Sequence, residues 1–209
     1  MPRPRSLTQE DLSAAALAVI DRDGLAALTM RAVAKELGLA TMGLYRYVAD
    51  REALEILVVD RIFADIEATL PPEMPWRERI STLLQRMCAA VSKHPETVPL
   101  VLRHRQSTAA SLGLIETMLS ALTEGGFVGR DRLIAQRTLI AFLFGFLQNE
   151  HYASLAGPGT ATMAHLAVED YPLVAATAAQ ARTIPASEEF RDGLAVVLRG
   201  LAPRGHPRS

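Results

Sequence analysis

Cysteine is nearly absent from this chain: Cys88 is the single one in 209 residues. An internal disulfide framework is therefore excluded, and the usage fits a reducing cytoplasm, with Cys88 itself expected as core packing. Long hydrophobic runs are missing as well. The longest, LIAFLFGFL at 139–147, falls well short of the about 20 residues that cross a bilayer, and MPRPRSLTQED at the front carries no apolar segment of a signal peptide. No membrane partner is expected. Nor is there an excess of one charge, since 22 Lys and Arg stand against 23 Asp and Glu for a formal net charge of −1. Any nucleic acid must then meet a local patch instead of a generally basic surface. Strand signals are scarce: no β-branched alternation of useful length, no Asn-Gly hairpin turn, no internal repeat. Catalytic signatures are lacking too. There is no GxSxG, P-loop or GxGxxG, and EGGFVG at 124–129 lacks the strand that a phosphate-binding glycine loop follows. His151 stands beside Glu150, but adjacent helical residues do not face one another. His94, His104, His151, His165 and His206 include no HExxH or other i,i+4 pair, so neither an enzyme nor a metal site or cofactor is expected.

What is present is a pattern of caps and stops in residues 29–51, TMRAVAKELGLATMGLYRYVADR. Thr29 is a good N-cap, Val33, Ala34 and Leu37 give the apolar spacing of one helical face, and Gly38 sits where a left-handed residue would stop the helix. Thr41 can cap the next helix, with Leu44 and Val48 inward and Tyr45, Arg46 and Tyr47 left to point elsewhere. Taken singly, each reads as ordinary core or solvated surface. Cap, helix, glycine turn, cap and short helix within about 20 residues is, however, what a helix-turn-helix needs. A helix from Thr8, with Asp11 in its first turn, through Leu12, Ala15, Ala16 and Val19 to Gly24 completes a three-helix unit. Over the first 55 residues the seven basic residues Arg3, Arg5, Arg22, Arg31, Lys35, Arg46 and Arg51 face eight acidic ones. Distribution decides the matter: Arg3 and Arg5 lie in a Pro-containing arm and Arg31, Lys35, Arg46 and Arg51 cluster around the turn, while Asp21 and Asp23 fall at the far end of the first helix.

Asp50 caps a longer helix carrying Ala53, Leu54, Leu57, Arg61 and Ile62, which LPPEMP at 70–75 should break. Beyond Pro75, the punctuation at 94–95, 107–108, 125–126, 157–159, 171–172 and 184–185 divides the rest into about five or six helices of a bundle. Segments 76–93 (Trp76, Ile80, Leu83, Leu84, Met87, Val91) and 107–124 (Leu112, Ile115, Met118, Leu119, Leu122) are amphipathic. The segment 130–156 is apolar on every side from Leu139 to Leu147, which predicts burial on both faces. The last helix, 187–202 with Ser187 as cap, presents Phe190, Leu194, Val197, Leu198 and Leu201. The fold class is all-α, a three-helix helix-turn-helix unit followed by a larger helical bundle.

The stretch DGLAALTMRAVAKELGLATMGLYRYVADREAL (23–54) resembles the tetracycline-repressor (TetR) family of bacterial regulators, densely at Gly24, Leu28, Thr29, Arg31, Ala34, Leu37, Gly38, Leu44, Tyr45, Val48 and Leu54. LTEGGFVGRDRL (122–133), DYPLVAA (170–176) and EEFRDGLAVVLRGL (188–201) are similar to that family's ligand-binding domain. The resemblance implies a DNA-binding domain over 1–50, a connecting helix over 51–70 and a ligand-binding and dimerisation domain over 71–204. It implies double-stranded operator DNA as partner, held by a homodimer whose two recognition helices, Met42 to Val48, enter major grooves about 34 Å apart on a palindrome. Arg31, Tyr45, Tyr47 and Arg51 are expected on phosphates by resemblance and donor type, Arg46 and Thr41 on base edges, and Gly43 where backbone approaches the groove. The helices 130–156 and 187–202 correspond to the pair that builds a four-helix dimer interface, here with Leu139, Phe142, Phe146, Phe190, Leu194, Val197, Leu198 and Leu201.

A small-molecule effector is expected in a mainly apolar pocket lined by some of Ile66, Met87, His104, Met118, Phe142, Asn149, Tyr152 and His165, Met giving adaptable lining and His, Asn and Tyr a few orienting polar groups. Tetracycline repressors hold a magnesium–tetracycline chelate through histidines and a carboxylate. The corresponding positions here read Ile66, Leu102, Ala141 and Asn149, with His104 two residues beyond Leu102. The expected effector is therefore metal-free and not tetracycline. A cytoplasmic repressor released from its operator by linkage follows. The alternatives are an activator, or a ligand-independent helical dimerisation module, which would not need Arg31, Tyr45, Arg46 and Tyr47 exposed together.

Overall fold

Caps and stops place the helices. The computed structural model describes residues 7–203, and its regular elements are eleven α-helices and two short 3-10 turns, with no strand among the described residues. Arg3, Arg5 and His206 lie outside the described residues. The helices are α1 (Gln9–Asp23), α2 (Met30–Glu36), α3 (Thr41–Leu44), α4 (Arg51–Ala64), α5 (Trp76–Ser92), α6 (Val98–His104), α7 (Ala109–Glu124), α8 (Gly129–Ala153), α9 (Pro158–Ala164), α10 (Pro172–Ala181) and α11 (Ala186–Gly200). Seven of them follow Pro75, more than the five or six expected. The prolines near the starts of α6, α9 and α10 occupy first-turn positions, where a missing N–H costs nothing and the fixed φ suits a helix start, so each opens a helix as well as ending the previous segment. No helix among the described residues is long and apolar enough to cross a membrane.

The chain divides into two compact units, Met1–Ala68 with Ala89–Ile115 and Thr69–Cys88 with Glu116–Ser209. In the first, Thr8 and Asp11 form a reciprocal capping box at the head of α1, and Asp50 accepts the Ala53 N–H at 2.9 Å at the head of α4. Leu12, Ala16, Val19 and Ile20 of α1 are buried with Leu54, Val58, Val59 and Ile62 of α4, and Leu100 and Val101 of α6 join them. The fourth helix ends at Ala64, earlier than the proline break. Asp65 and Ile66 donate to the carbonyls of Arg61 and Phe63 in a tightened last turn, and Ile66 itself is buried, which draws the chain off the helical path.

In the second unit Phe190 of α11 stacks on Phe142 and Phe146 of α8, with centroids 5.4 and 5.0 Å apart. Gly193 permits this approach, because a Cβ there would meet the Phe142 ring at 3.0 Å. Leu139, Leu143, Phe144, Phe146 and Leu147 are all buried, and of the run 139–147 only Ala141 is exposed. The outward side of the pair is apolar elsewhere: Leu133 and Ile134 on α8 are 56% and 52% exposed, and Val196 on α11 is 59% exposed. Arg77 donates to the carbonyls of Leu198 and Leu201, closing the C-terminal end of α11. Its N-terminal end differs from expectation, since Pro185, not Ser187, holds the N-cap position with extended φ −65° and ψ 145° and no side-chain cap bond. Proline's preset φ supplies the turn into the helix without a capping hydroxyl.

Candidate nucleic-acid interface

The turn between α2 and α3 is built by local chemistry. Thr29 accepts the Ala32 N–H at 3.1 Å, and the helix stops at Gly38 with φ +69°. The Leu39 N–H then reaches back to the Ala34 carbonyl at 2.8 Å and the Gly38 N–H to Lys35 at 3.1 Å, a Schellman closure that favours glycine at its left-handed residue. The following helix is shorter than the expected Met42–Val48. Regular helix covers Thr41–Leu44, Ala40 holds the N-cap position without a side-chain bond, and Thr41 is the first helical residue instead of its cap. From Leu44 the chain turns on through Tyr47 and Val48, whose N–H groups both donate to the Leu44 carbonyl at 2.9 and 3.2 Å. Gly43 in so short a helix weakens it, and the element is held by burial: Leu44 is fully buried and Val48 is 6% exposed.

That burial leaves the other side chains of α3 and its turn in solvent. Met42 is 77% exposed, Tyr45 47% and Tyr47 40%, while Arg46 and, on α2, Arg31 are exposed and Thr41 is half-buried. A Cβ built on Gly43 would meet only Nη2 of Arg46, at 3.9 Å, and Gly43 is not among the positive-φ glycines. Packing and backbone conformation therefore do not require glycine at 43.

Arg51, at the start of α4, is engaged by a residue that sequence reading missed. Glu55 is 4% exposed; its Oε1 accepts from Arg51 Nε at 3.0 Å, and its Oε2 accepts from Arg103 Nη1 at 3.0 Å and lies 2.9 Å from His104 Nε2. Burial alone would raise the Glu55 carboxyl, but the hydrogen bond with His104, the charge of Arg103 and the bond from Arg51 together hold it below the ordinary glutamate range. One carboxylate thus joins α4 to α6. The visible signal was the i,i+4 spacing of Arg51 and Glu55.

The other expected site residues are placed differently. His104 is spent on Glu55, and Ile66, Met87 and Met118 are core. Phe142 packs on Phe190, whereas Asn149, Tyr152 and His165 are exposed, His165 with Nδ1 2.7 Å from the Ala161 carbonyl. A groove of about 390 Å³ instead opens in the second unit, lined by Leu155, Thr160, Met163, Leu173, Val174 and Ala178 among others, and none of the eight expected ligand residues lines it. Helices of the second unit too short to be resolved as amphipathic patterns form it. Of the expected dimer residues, Leu139, Phe146, Phe190, Leu194 and Leu198 are buried within one chain, Phe190 against Phe142 and Phe146, while Phe142, Val197 and Leu201 are half-buried.

Residues 12–55 match the model for bacterial regulatory proteins of the tetR family, and residues 69–204 match that for the tetracyclin repressor-like C-terminal domain. A helix-turn-helix-type transcriptional regulator of Saccharopolyspora erythraea is 26% identical over 174 residues, spanning 81% of this chain and 74% of the relative. Among solved structures, Streptomyces coelicolor ActR in complex with actinorhodin superposes with a TM-score of 0.80 at 21% identity, covering 95% of this chain and 96% of that one. BioQ with its natural double-stranded DNA operator, a protein also solved from Mycobacterium smegmatis, superposes at 0.69 with 25% identity, covering 94% and 98%. With both of its parts matched and the outward arginine and tyrosines of a helix-turn-helix in place, the chain belongs to the TetR family and is a DNA-binding transcriptional regulator.

Proposed function

We propose that this protein is a cytoplasmic repressor that holds a palindromic operator as a homodimer and releases it when a metal-free, mainly apolar small molecule binds. The observation that carries the reading is the display of Met42, Tyr45, Arg46 and Tyr47 in solvent over a buried Leu44 and Val48, with Arg51 alongside in sequence on a capped helix. Arg46 and Thr41 address base edges; Arg31, Tyr45, Tyr47 and Arg51 address phosphates, the tyrosine hydroxyls as donors and the arginines as charges. Residues 1–50 bind DNA, 51–70 connect, and 71–204 take the effector and the second subunit. The apolar groove beside α9 and α10 has the volume of a small-ligand site and is lined by uncharged side chains, which favours an uncharged effector over a metal chelate.

Release works through Arg51. Its Nε is occupied by Glu55, which leaves the two terminal nitrogens for phosphate, and the same carboxylate is bonded to Arg103 and His104 of α6, a helix within the matched C-terminal span. A ligand that favours a different position of α6 must shift Glu55, and with it the arginine, so operator affinity falls by linkage. The test is footprinting of the intergenic DNA beside the protein's own gene. A protected two-fold-symmetric site supports the reading; a protein that protects no fragment, at any salt concentration, removes it.

A further inference from the structure

We infer that Met42 reads the C5-methyl group of a thymine lying one base step from the guanine addressed by Arg46. This rests on the reading that α3 enters the major groove. Among the described residues of the first unit Met42 is the most exposed large apolar side chain, at 77%, while the burial of the element is supplied by Leu44 and Val48. An unbranched thioether held in solvent at the head of a one-turn helix has no structural task there. Arg46 follows four residues later, and its guanidinium leans back over residue 43, with Nη2 3.9 Å from where a Cβ on Gly43 would stand. The cation and the thioether are thus offered from neighbouring positions on one side of the element, and the absent side chain at 43 leaves nothing between them and a groove floor.

The major groove supplies matching partners. Guanine offers O6 and N7 to an arginine fork, and thymine carries the one apolar group of the groove floor, its C5-methyl. Bases along a strand are about 3.4 Å apart, so side chains adjacent on a helix surface fall on adjacent base pairs. Cytosine at the same place would present an N4 amino donor to a sulfur that is a poor acceptor, and no methyl to bury. Methionine's three rotatable bonds let the thioether settle on the methyl without a fixed docking angle. Discrimination is then the burial of one methyl, about fourfold in affinity per half-site.

The experiment lets the full-length protein select its operator from a randomised duplex pool, then replaces each thymine of the selected site with deoxyuridine, which removes only the methyl. Binding of wild type and Met42→Ala is measured by fluorescence anisotropy. Wild type should lose about fourfold at one thymine per half-site, next to a guanine whose replacement by 7-deazaguanine is also felt. Met42→Ala, folded as judged by its melting curve because the side chain is exposed, should bind the thymine site more weakly and be indifferent to the missing methyl. A wild type that tolerates uracil everywhere, or a Met42→Ala protein with the same uracil penalty, overturns the assignment. A protein that selects no duplex at all takes down the regulator reading with it, a result distinct from selection that ignores the methyls.

Discussion

At the scale of single residues, most caps and stops were legible because a side chain and its own neighbouring backbone settle them, whereas Thr41 and Ser187 do not cap their helices. Thr8, Thr29, Asp50 and Gly38 do what their types and positions imply. Glu55 was not legible, because two of its three partners, Arg103 and His104, come from a distant part of the chain and a glutamate four residues after an arginine looks like a surface pair. The same local logic separates the two arginines proposed to contact DNA. Arg46 has no carboxylate partner among the described residues and reaches back over Gly43, while Arg51 is tethered through Nε to Glu55. Arg46→Ala should cost about 1 to 3 kcal/mol and relax preference at one base pair, whereas Arg51→Ala should weaken all sequences alike and lower the salt dependence by about one ion. Salt-dependent mobility shifts on the operator and on scrambled duplexes check both; equal losses with unchanged preference would count against a base-reading Arg46.

At the scale of elements, apolar periodicity found most helices of the chain but misjudged their ends and packing. Two glutamates show how packing enters, and with opposite signs. Glu55 is held below the ordinary range despite its burial, by His104, Arg103 and Arg51, so its folded form favours the ionised state. Its stabilising contribution is complete above the unfolded glutamate value of about 4.3 and is lost as pH falls through the lower folded value. Glu189 on α11 is raised, first by burial and then by the charge of Glu150 on α8, so its ionised form is a burden that disappears below about pH 4.3. Glu55→Gln should therefore lower the melting temperature at pH 7, with the deficit shrinking in acid, and Glu189→Gln should raise it at pH 7, with the gain gone in acid. Melting curves from pH 3 to 8 test the pair. A Glu189→Gln protein no more stable than wild type at pH 7 would show that burial of this carboxylate is not costly.

At the scale of the whole molecule, the apolar surplus of residues 139–147 and of the last helix was visible in the sequence, but not which part of it one chain would cover. Leu139, Phe190, Leu194 and Leu198 are buried within one chain, Phe142, Val197 and Leu201 are half-buried, and Leu133, Ile134 and Val196 are the more exposed apolar side chains of α8 and α11. The proposed homodimer through these helices is expected to bury that exposed strip. The two classes of position give different failures when charged. Leu198→Glu places a carboxylate in a core position that is 7% exposed and should damage folding. Val196→Glu and Ile134→Glu alter positions more than half exposed, so each should remain helical and melt cooperatively while sedimenting as a monomer. Operator affinity should fall with the dimer, because a palindrome is held by two heads and a monomer offers one. Circular dichroism and sedimentation on the same samples separate the cases. A Val196→Glu, Ile134→Glu double variant that stays dimeric at micromolar concentration would place the two-fold contact away from the outer face of α8 and α11.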